Sequence, residues 1–356
     1  MKVIQVLPTL AYGDAIGNDT LALKKVIANM GYKTGIYAAS VAPPLTKKDG
    51  LNIKKMPKLS DEDVIIYHLS TGSELNYKIA EYPGKKIVMY HNVTPPHFFE
   101  ANNEYIYNIN TQALEGVKHL SDKADYCLAV SDFNKKDLEQ MGYNCPIDVL
   151  PILIPFEDYK KTPDQTIIDR YSDGVTNIVF TGRISPNKKQ EDVIRAFYCY
   201  KKYYDSTARL FLVGSYSGED IYYKRLKKYV KELGVKDVYF TGHIKFNQIL
   251  SYYKIADIFL CMSEHEGFCV PLVEAMFFDV PIVAYNSTAI PSTLGGSGVL
   301  LEEKDPILVA KMMDVLMHND NLKQAILEKQ RARLDDFQYE KIKEQFEMYL
   351  KKFIEA

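Results

Sequence analysis

Two successive series of short apolar, β-branched runs alternate with helix-patterned stretches, and this alternation constrains the fold more than any other feature of the chain. Strands that alternate with helices pair in parallel, with both sheet faces covered. The runs of the first series are 2–7, 34–39, 63–69, 86–92, 126–131 and 148–154. Those of the second are 177–184, 208–215, 237–244, 257–263, 280–286 and 298–303. Helices are expected between them. Asp19 is read as the cap of a helix over 19–31 that ends at Gly31, and Ser131 or Asp132 as the cap of one over 132–142 that ends at Gly142. The expected class is therefore α/β, and 356 residues is the length of about two domains. Residues 155–175 are polar, contain two prolines and are expected to be a linker. A boundary at about 157 gives domains 1–157 and 158–338, followed by a long amphipathic helix over 339–356.

Charge and cysteine content narrow the function classes. With 44 basic and 46 acidic residues the net charge is −2, so no overall field draws the chain to nucleic acid. The five cysteines, at 127, 145, 199, 261 and 269, are odd in number and lack CxxC spacing. They are expected to be reduced thiols, with Cys127, Cys199 and Cys261 in the core, and neither a disulfide frame nor a zinc site. The opening MKVIQVLP is too short for a signal peptide, and no stretch approaches the roughly 18 apolar residues of a membrane span. A cytoplasmic location is expected, at most with peripheral contact at a membrane surface.

Several strand ends carry polar residues suited to a ligand. FTGRI (180–184) and FTGHI (240–244) repeat one pattern, and the carboxyl ends of parallel strands border the ligand crevice. Gly182 and Gly242 would let backbone approach a ligand there, with Arg183 and His243 at the rim, and Gly214 and Ser215 end another strand. Either glycine alone could simply make a turn; the repetition favours a ligand site. In SEHEGFCVPLVEAM (263–276), Pro271 suits a first helical turn. The amides of Gly267, Phe268, Cys269 and Val270 then approach a helix N-terminus, where phosphate or sugar hydroxyls bind. Glu266 and Glu274 beside such a site suit hydroxyl groups of a polyhydroxylated ligand in preference to core partners; the competing reading is one capping and one surface Glu. Arg183 and Lys188 stand where a helix dipole opposes cations unless an anion is present, against a solvated charge cluster, and Lys189 is read as a solvent-facing neighbour. His91 ends one apolar run and His68 another, and the two compete for a functional role, since a lone His there is more often a structural hydrogen-bonder. Gly13 and Gly17, in the loop after the first strand, could admit a donor phosphate or an acceptor, and Asp14 could reach an acceptor hydroxyl. Asp61, Glu62 and Asp63 are expected in a solvated turn, and the basic helix over 222–234 faces water.

The nine residues EGFCVPLVE (266–274) resemble the signature of the retaining glycosyltransferases of family 4, the glycosyl transferases group 1. GRISPNK (182–188) is similar to the family's Gly-Arg-Leu segment, with a Lys five residues after the Arg. The resemblance implies a GT-B fold: two Rossmann-like domains facing each other across a deep cleft, the first for the acceptor, the second for the donor, and a last helix crossing back to the first. It implies that Glu274 holds the ribose, Glu266 the transferred sugar, Arg183 and Lys188 the donor diphosphate in place of a metal, and that His91 points at the sugar. Backbone at His243 and Ile244 would meet the base, and Gly214 would border the nucleotide. Cys269 stands where the family often has Gly, and the family's Gly-Gly pair is missing from the first loop. The implied activity is retaining transfer of a hexosyl group from a nucleotide-diphosphate-sugar to a hydroxyl of a glycan, lipid-linked or protein acceptor, without metal or other cofactor, as in polysaccharide assembly. A nucleotide-sugar epimerase on the same fold and an inactive partner subunit are the alternatives. The joint presence of Glu266, Glu274, Arg183, Lys188 and His91 argues against the inactive subunit, and no GxGxxG follows a strand to suggest a dinucleotide oxidoreductase.

Overall fold

A computed structural model describes residues 1–355 and divides the chain into two compact units. The first comprises Met1–His97, Tyr105–Phe156 and the segment that starts at Asp336; the second comprises Phe98–Glu104 and Glu157–Asp335.

The first unit is built on a seven-stranded parallel sheet. Its strands are β1 (Lys2–Leu10), β2 (Lys33–Val41), β3 (Leu51–Asn52), β4 (Val64–Leu69), β5 (Lys85–Tyr90), β6 (Tyr126–Ala129) and β7 (Ile147–Val149), in lateral order 3-2-1-4-5-6-7. The order reverses at β1, between β2 and β4, which defines a switch point at the carboxyl ends of those strands. All six residues of β4 are buried, as expected of a strand covered on both faces. The two-residue β3 has no apolar run of its own and was not expected from the sequence.

One expected helix start is corrected. The helix Ala15–Asn29 begins four residues before the expected 19, with Asp14 as its cap, accepting from the Gly17 amide at 2.5 Å. Asp19 lies inside this helix, fully buried, and accepts from the Leu153 amide at 2.9 Å. Both acids precede apolar residues, so the local pattern did not separate them; the long-range contact to Leu153 did. Gly31 ends the helix with φ +88°, and Ser131, not Asp132, caps the helix Asp132–Gln140. Asp63 is likewise corrected: it is buried, accepts from the amides of Lys2 (2.6 Å) and Ser60 (2.9 Å), and ties the start of β1 to that of β4. The helix Tyr339–Glu355 packs within the first unit, burying Ile342, Phe346 and Leu350. Gln345 Nε2 donates to the Val149 carbonyl at 3.0 Å and Phe353 stacks on Tyr126 at 5.4 Å. Residue 356, the end of the expected helix, lies outside the described residues.

The second unit has a six-stranded parallel sheet of β8 (Asn177–Thr181), β9 (Arg209–Val213), β10 (Val238–Gly242), β11 (Ile258–Cys261), β12 (Ile282–Tyr285) and β13 (Val299–Leu301), in lateral order 10-9-8-11-12-13. Its switch point lies between β8 and β11. Ile178, Phe180, Leu210, Leu212, Ile258 and Leu260 from the sheet pack with Val193, Phe197, Val309 and Met313 from the flanking helices into its main core. The expected linker is instead partly helical, over Phe156–Tyr159 and Gln165–Tyr171, because Tyr171 has an apolar partner in Phe211, with ring centroids 4.8 Å apart. The segment Phe98–Glu104, expected in the first domain, packs within the second unit. Asn103 Nδ2 donates to the Gly218 carbonyl at 2.5 Å and Arg225 Nη1 to Asn102 Oδ1 at 2.8 Å. Cys127, Cys199 and Cys261 are buried as expected, and Cys127 Sγ lies 3.5 Å from Cys145 Sγ. Among the described residues, no helix is long and apolar enough to cross a membrane.

Candidate active site

The segments that follow β8 and β11, on either side of the second switch point, are those singled out in the sequence. After β8 come Gly182, Arg183 and a 3₁₀ turn over Pro186–Lys188; after β11 come residues 262–269 and the helix Val270–Phe277. They meet in an ion pair between Lys188 Nζ and the Glu266 carboxylate, whose side chains are only 22% and 8% exposed. Burial pulls the Lys188 pKa down, but the Glu266 charge outweighs it and leaves it above the ordinary lysine value.

Neutral hydrogen bonds hold this pair in place. Asn187 Nδ2 donates to the His265 carbonyl at 2.9 Å, and the Asn187 carbonyl accepts from the Glu264 amide at 2.9 Å. The Glu266 amide donates to Thr288 Oγ1 at 2.9 Å, and Ser287 Oγ to the Ser263 carbonyl at 2.6 Å. Thr293 Oγ1 donates to the carbonyl of Phe268, which is buried. Asn187, Thr288 and Ser287 carried no signal in the sequence, since each acts through a short polar bond to backbone far away in the chain. Lys189 is corrected from a solvent-facing neighbour: its Nζ pairs with Glu264 at 3.1 Å and lies 5.9 Å from the Phe98 ring.

Pro271 occupies the first turn of the helix Val270–Phe277, as expected, and Cys269 precedes it in the left-handed region at φ +71°. An L-residue pays steric energy there that Gly does not. The Cys269 thiol, the Cys261 thiol and the Glu266 carboxylate have atoms all within 4.8 Å of one another. Glu274 sits one turn into the helix, where Oε2 accepts from Tyr253 Oη at 2.6 Å and Oε1 from Tyr159 Oη at 3.0 Å. This corrects the expectation that its carboxylate lacks core partners; each oxygen still has a second lone pair for a ligand hydroxyl. Burial raises the Glu274 pKa, against the pull of the two tyrosine hydroxyls.

Arg183 is exposed just beyond β8, and its charge acts on Glu219, which sequence reasoning missed. Glu219 is 1% exposed, and burial pushes its pKa up to about 6 against the opposing pull of the Arg183 charge and the Ser185 hydroxyl. In the sequence it stands in SYSGED, which looks like a solvated loop.

The glycines divide by role. A Cβ on Gly214 would lie 1.9 Å from the Gly182 carbonyl oxygen, so the absence of a side chain at Gly214 serves a backbone-on-backbone contact. The same stitch includes Gly182 N–H to the Val213 carbonyl and Ile184 N–H to the Ser215 carbonyl, both 2.9 Å. A Cβ on Gly182 would meet nothing nearer than 3.4 Å, so that position stays open. His243 is exposed after β10, whereas the Ile244 side chain packs against Tyr171, Val179 and Phe211.

In the first unit, Gly13 is exposed at φ +88° with open space at its Cβ position. Gly17 is corrected: it lies inside the helix Ala15–Asn29, and a Cβ would fall 1.8 Å from the Ala11 carbonyl oxygen, so the close approach is to its own loop. Asp14 is exposed, and as the cap of this helix its Oδ1 accepts from the Gly17 amide. His91, just after β5, is buried, and its Nε2 lies 2.9 Å from His68 Nδ1. His68 Nε2 lies 2.9 Å from Gln5 Oε1, and Gln5 Nε2 lies 3.0 Å from the Thr20 carbonyl. The two histidines are partners, not competitors. His91 Nδ1 and Asp19 Oδ2 are buried without a hydrogen-bond partner. Burial lowers the His91 pKa to about 3 and raises that of Asp19 to about 7.

Comparison with known proteins agrees with this architecture. The architecture is that of Anabaena HepE, solved in complex with UDP and glucose, at a TM-score of 0.77 and 17% identity over 99% of this chain and 100% of that one. The chain thus has the GT-B glycosyltransferase fold. Residues 170–333, most of the second unit, match the family model described as glycosyl transferases group 1. That region includes Arg183, Lys188, Glu266 and Glu274. Among curated proteins, N-acetyl-alpha-D-glucosaminyl L-malate synthase of Bacillus anthracis is 31% identical over 164 residues, 45% of this chain and 41% of that protein. O-antigen chain mannosyltransferase B of Escherichia coli is 23% identical over 227 residues, 62% of this chain and 58% of that protein. The chain therefore spans less than two thirds of the length of these relatives.

Proposed function

We propose that the protein is a retaining glycosyltransferase of family 4 that moves a hexosyl group from a nucleotide-diphosphate-sugar to a hydroxyl acceptor in polysaccharide or glycoconjugate assembly. The observation that carries this reading is the Lys188–Glu266 pair, held at the switch point of the second sheet with Arg183 on the neighbouring strand end. Glu266 sits where it can accept from hydroxyls of the transferred sugar while its partner Lys188 turns toward phosphate. Arg183 and Lys188 neutralise the diphosphate, so no metal ion is required for that charge. Glu274 takes the ribose hydroxyls, and the amides of Gly267, Phe268, Cys269 and Val270 face the donor at a helix N-terminus. Backbone at Gly182, His243 and Ile244 lines the nucleotide, Gly13 admits the donor phosphate or the acceptor, and His91 contacts the sugar. The relative named as a mannosyltransferase and the match of residues 170–333 to the group 1 family model support the class, as does the likeness to HepE, solved with UDP and glucose. An acceptor on a glycan, lipid or protein, and a cytoplasmic location with peripheral membrane contact, belong to the same proposal.

In this reading the acceptor oxygen forms its bond to the anomeric carbon on the face from which the diphosphate leaves. The carbon–oxygen bond to the diphosphate breaks, and a departing phosphate oxygen takes the hydroxyl proton. Stabilising that leaving group is then the main contribution of the protein, and loss of one such contact costs about 10²–10³ in rate. Arg183→Ala is expected to lower turnover by that factor. Proton NMR of fresh product should show the donor's anomeric configuration retained, and EDTA should leave the rate unchanged. An inverted coupling constant refutes the retaining mechanism; activity lost to EDTA and restored by manganese refutes the role of the basic pair.

A further inference from the structure

Two buried thiols of the second unit share their surroundings with a carboxylate and an ammonium. Cys261 ends β11, Cys269 precedes the helix Val270–Phe277, and Glu266 lies in the loop between them; all three are buried. One ligand atom from each, the two Sγ atoms and a carboxylate oxygen, lies within 4.8 Å of the other two. Seven residues separate the cysteines, which is no zinc spacing in a sequence; the turn from strand to helix brings them together. A cation already stands here. Lys188 Nζ donates to Glu266 Oε2, and both thiols, like the carboxylate, favour the charged form of that ammonium.

We propose that Cys261, Cys269 and Glu266 bind one thiophilic divalent ion of the zinc class, and that the bound ion inhibits the enzyme. Zn²⁺ takes thiolate sulfur at about 2.3 Å and carboxylate oxygen at about 2.1 Å in tetrahedral geometry, which sets neighbouring ligand atoms about 3.6–3.8 Å apart. The three side chains therefore need to close by roughly 1 Å or less. Thiolate with carboxylate suits zinc, whereas Mg²⁺ and Ca²⁺ take oxygen ligands and do not suit this set. The charges balance as well. Zn²⁺ replaces two thiol protons, which pass to solvent, so the two thiolates cancel the ion and Glu266 keeps Lys188 as its counter-ion. Cys261 Sγ donates to Ser263 Oγ at 3.4 Å; as a thiolate it accepts from that hydroxyl instead, an outer-shell bond of the kind that holds metal ligands in place. Three protein ligands leave the fourth position to water. The inhibition rests on the reading in which Glu266 meets the transferred sugar, because an ion on the carboxylate takes the oxygen that a sugar hydroxyl needs. The ion site itself stands without that reading.

The direct test titrates the full chain, reduced and freed of metal, with Co²⁺ in the absence of oxygen. The expected result is one equivalent bound with an intense near-ultraviolet sulfur-to-cobalt charge-transfer band, which Zn²⁺ then bleaches; no such band overturns the proposal. Cys269→Gly removes one thiol and leaves a residue at ease in the left-handed conformation, so it tests the site with the fold preserved. Loss of an outer-shell partner alone costs about 10–100-fold in metal affinity, so loss of this ligand should weaken Co²⁺ binding by about 100-fold or more. Cys261→Ser should do the same, and unchanged affinity in Cys269→Gly overturns the proposal. Cys127 and Cys145, 3.5 Å apart in the first unit, are the rival pair of thiols. The band should survive Cys145→Ser; a band lost there and kept in Cys269→Gly overturns the proposal. Inhibition is read with UDP-glucose and GDP-mannose as donors. Zn²⁺ should stop turnover over the concentrations at which it binds, EDTA should restore it, Mg²⁺ should have no effect, and Cys269→Gly should need about 100-fold more Zn²⁺. Full turnover with the site filled overturns the inhibition while leaving the glycosyltransferase reading in place. If no nucleotide-sugar binds, that reading fails and the inhibition falls with it, while the cobalt band still decides the ion site.

Discussion

Removal of either member of the Lys188–Glu266 pair should cost more stability than removal of both. Lys188 is the cation that meets the Glu266 carboxylate, and that carboxylate is 8% exposed. Lys188→Met therefore leaves a buried charge without its partner, and breaking a buried pair in this way costs about 3–5 kcal/mol. Glu266→Leu strands the Lys188 ammonium and should cost a similar amount. In the double variant both charges are gone and apolar groups of similar size fill the space, so the loss should stay within about 2 kcal/mol of the wild type. The pKa of Lys188 is raised in the fold, so its contribution is fully present below the unfolded lysine value of about 10.4 and is lost only as pH rises through the higher folded value. Urea denaturation at pH 7.5 thus reads the pair with Lys188 charged. The chain has no Trp, so unfolding is followed by far-UV circular dichroism, fitted with separate transitions for the two units. Additive single losses in the double variant, or single losses below about 1 kcal/mol, would refute the account of the pair as mutually dependent buried charges.

Gly214→Ala places a Cβ 1.9 Å from the Gly182 carbonyl oxygen, and must pull the ends of β8 and β9 apart. Thermal melting should show a marked loss, whereas Gly13→Ala, with open space at its Cβ position, should cost only the roughly 1 kcal/mol of a left-handed L-residue; equal losses would contradict this. Cys269→Gly and Cys269→Ala both remove the thiol, but only Gly is at ease at φ +71°, so the Gly variant should be the more stable by about 1 kcal/mol in chemical denaturation. Asp19 has its pKa raised in the fold, so its contribution is greatest below about pH 4 and is lost as pH rises through about 7. The stability of Asp19→Asn relative to the wild type should therefore rise through that range, by at most about 4 kcal/mol. A difference that stays flat with pH would show that burial does not hold the proton on Asp19.

The alternation of runs was enough to place the strands of both sheets apart from β3, because parallel strands buried on both faces leave continuous apolar segments. The Glu266–Glu274 spacing, Pro271 and the basic residues after β8 were also legible, since those residues lie close together in the chain. What was not legible depends on contacts across long separations. Asp19 and Asp14 carry equal local signals for a cap, and only the Leu153 amide, 134 positions away, decides which is buried. His68 and His91 looked like rivals because nothing in the sequence places one ring 2.9 Å from the other across adjacent strands. Glu219 resembled a loop residue, and the tyrosines that hold Glu274 lie 115 and 21 positions from it. Phe98–Glu104 reads as the continuation of a first-domain loop, yet its partners are Gly218, Arg225 and Lys189 of the second unit.

The order in which the ribosome releases the chain acquires meaning from the helix Tyr339–Glu355. The second unit has all its strands once residue 335 has emerged, but the first unit still lacks the helix that covers β6 and β7. At about 5–20 residues per second, synthesis of residues 157–335 keeps the first unit waiting on the order of 10–40 s after its last strand has been made. During that interval the sites of Ile342, Phe346 and Leu350 remain uncovered. The unit whose strands are made first is thus closed only after the strands of the second, and in that interval the nascent chain is most exposed to misassociation on the surface that the helix Tyr339–Glu355 seals.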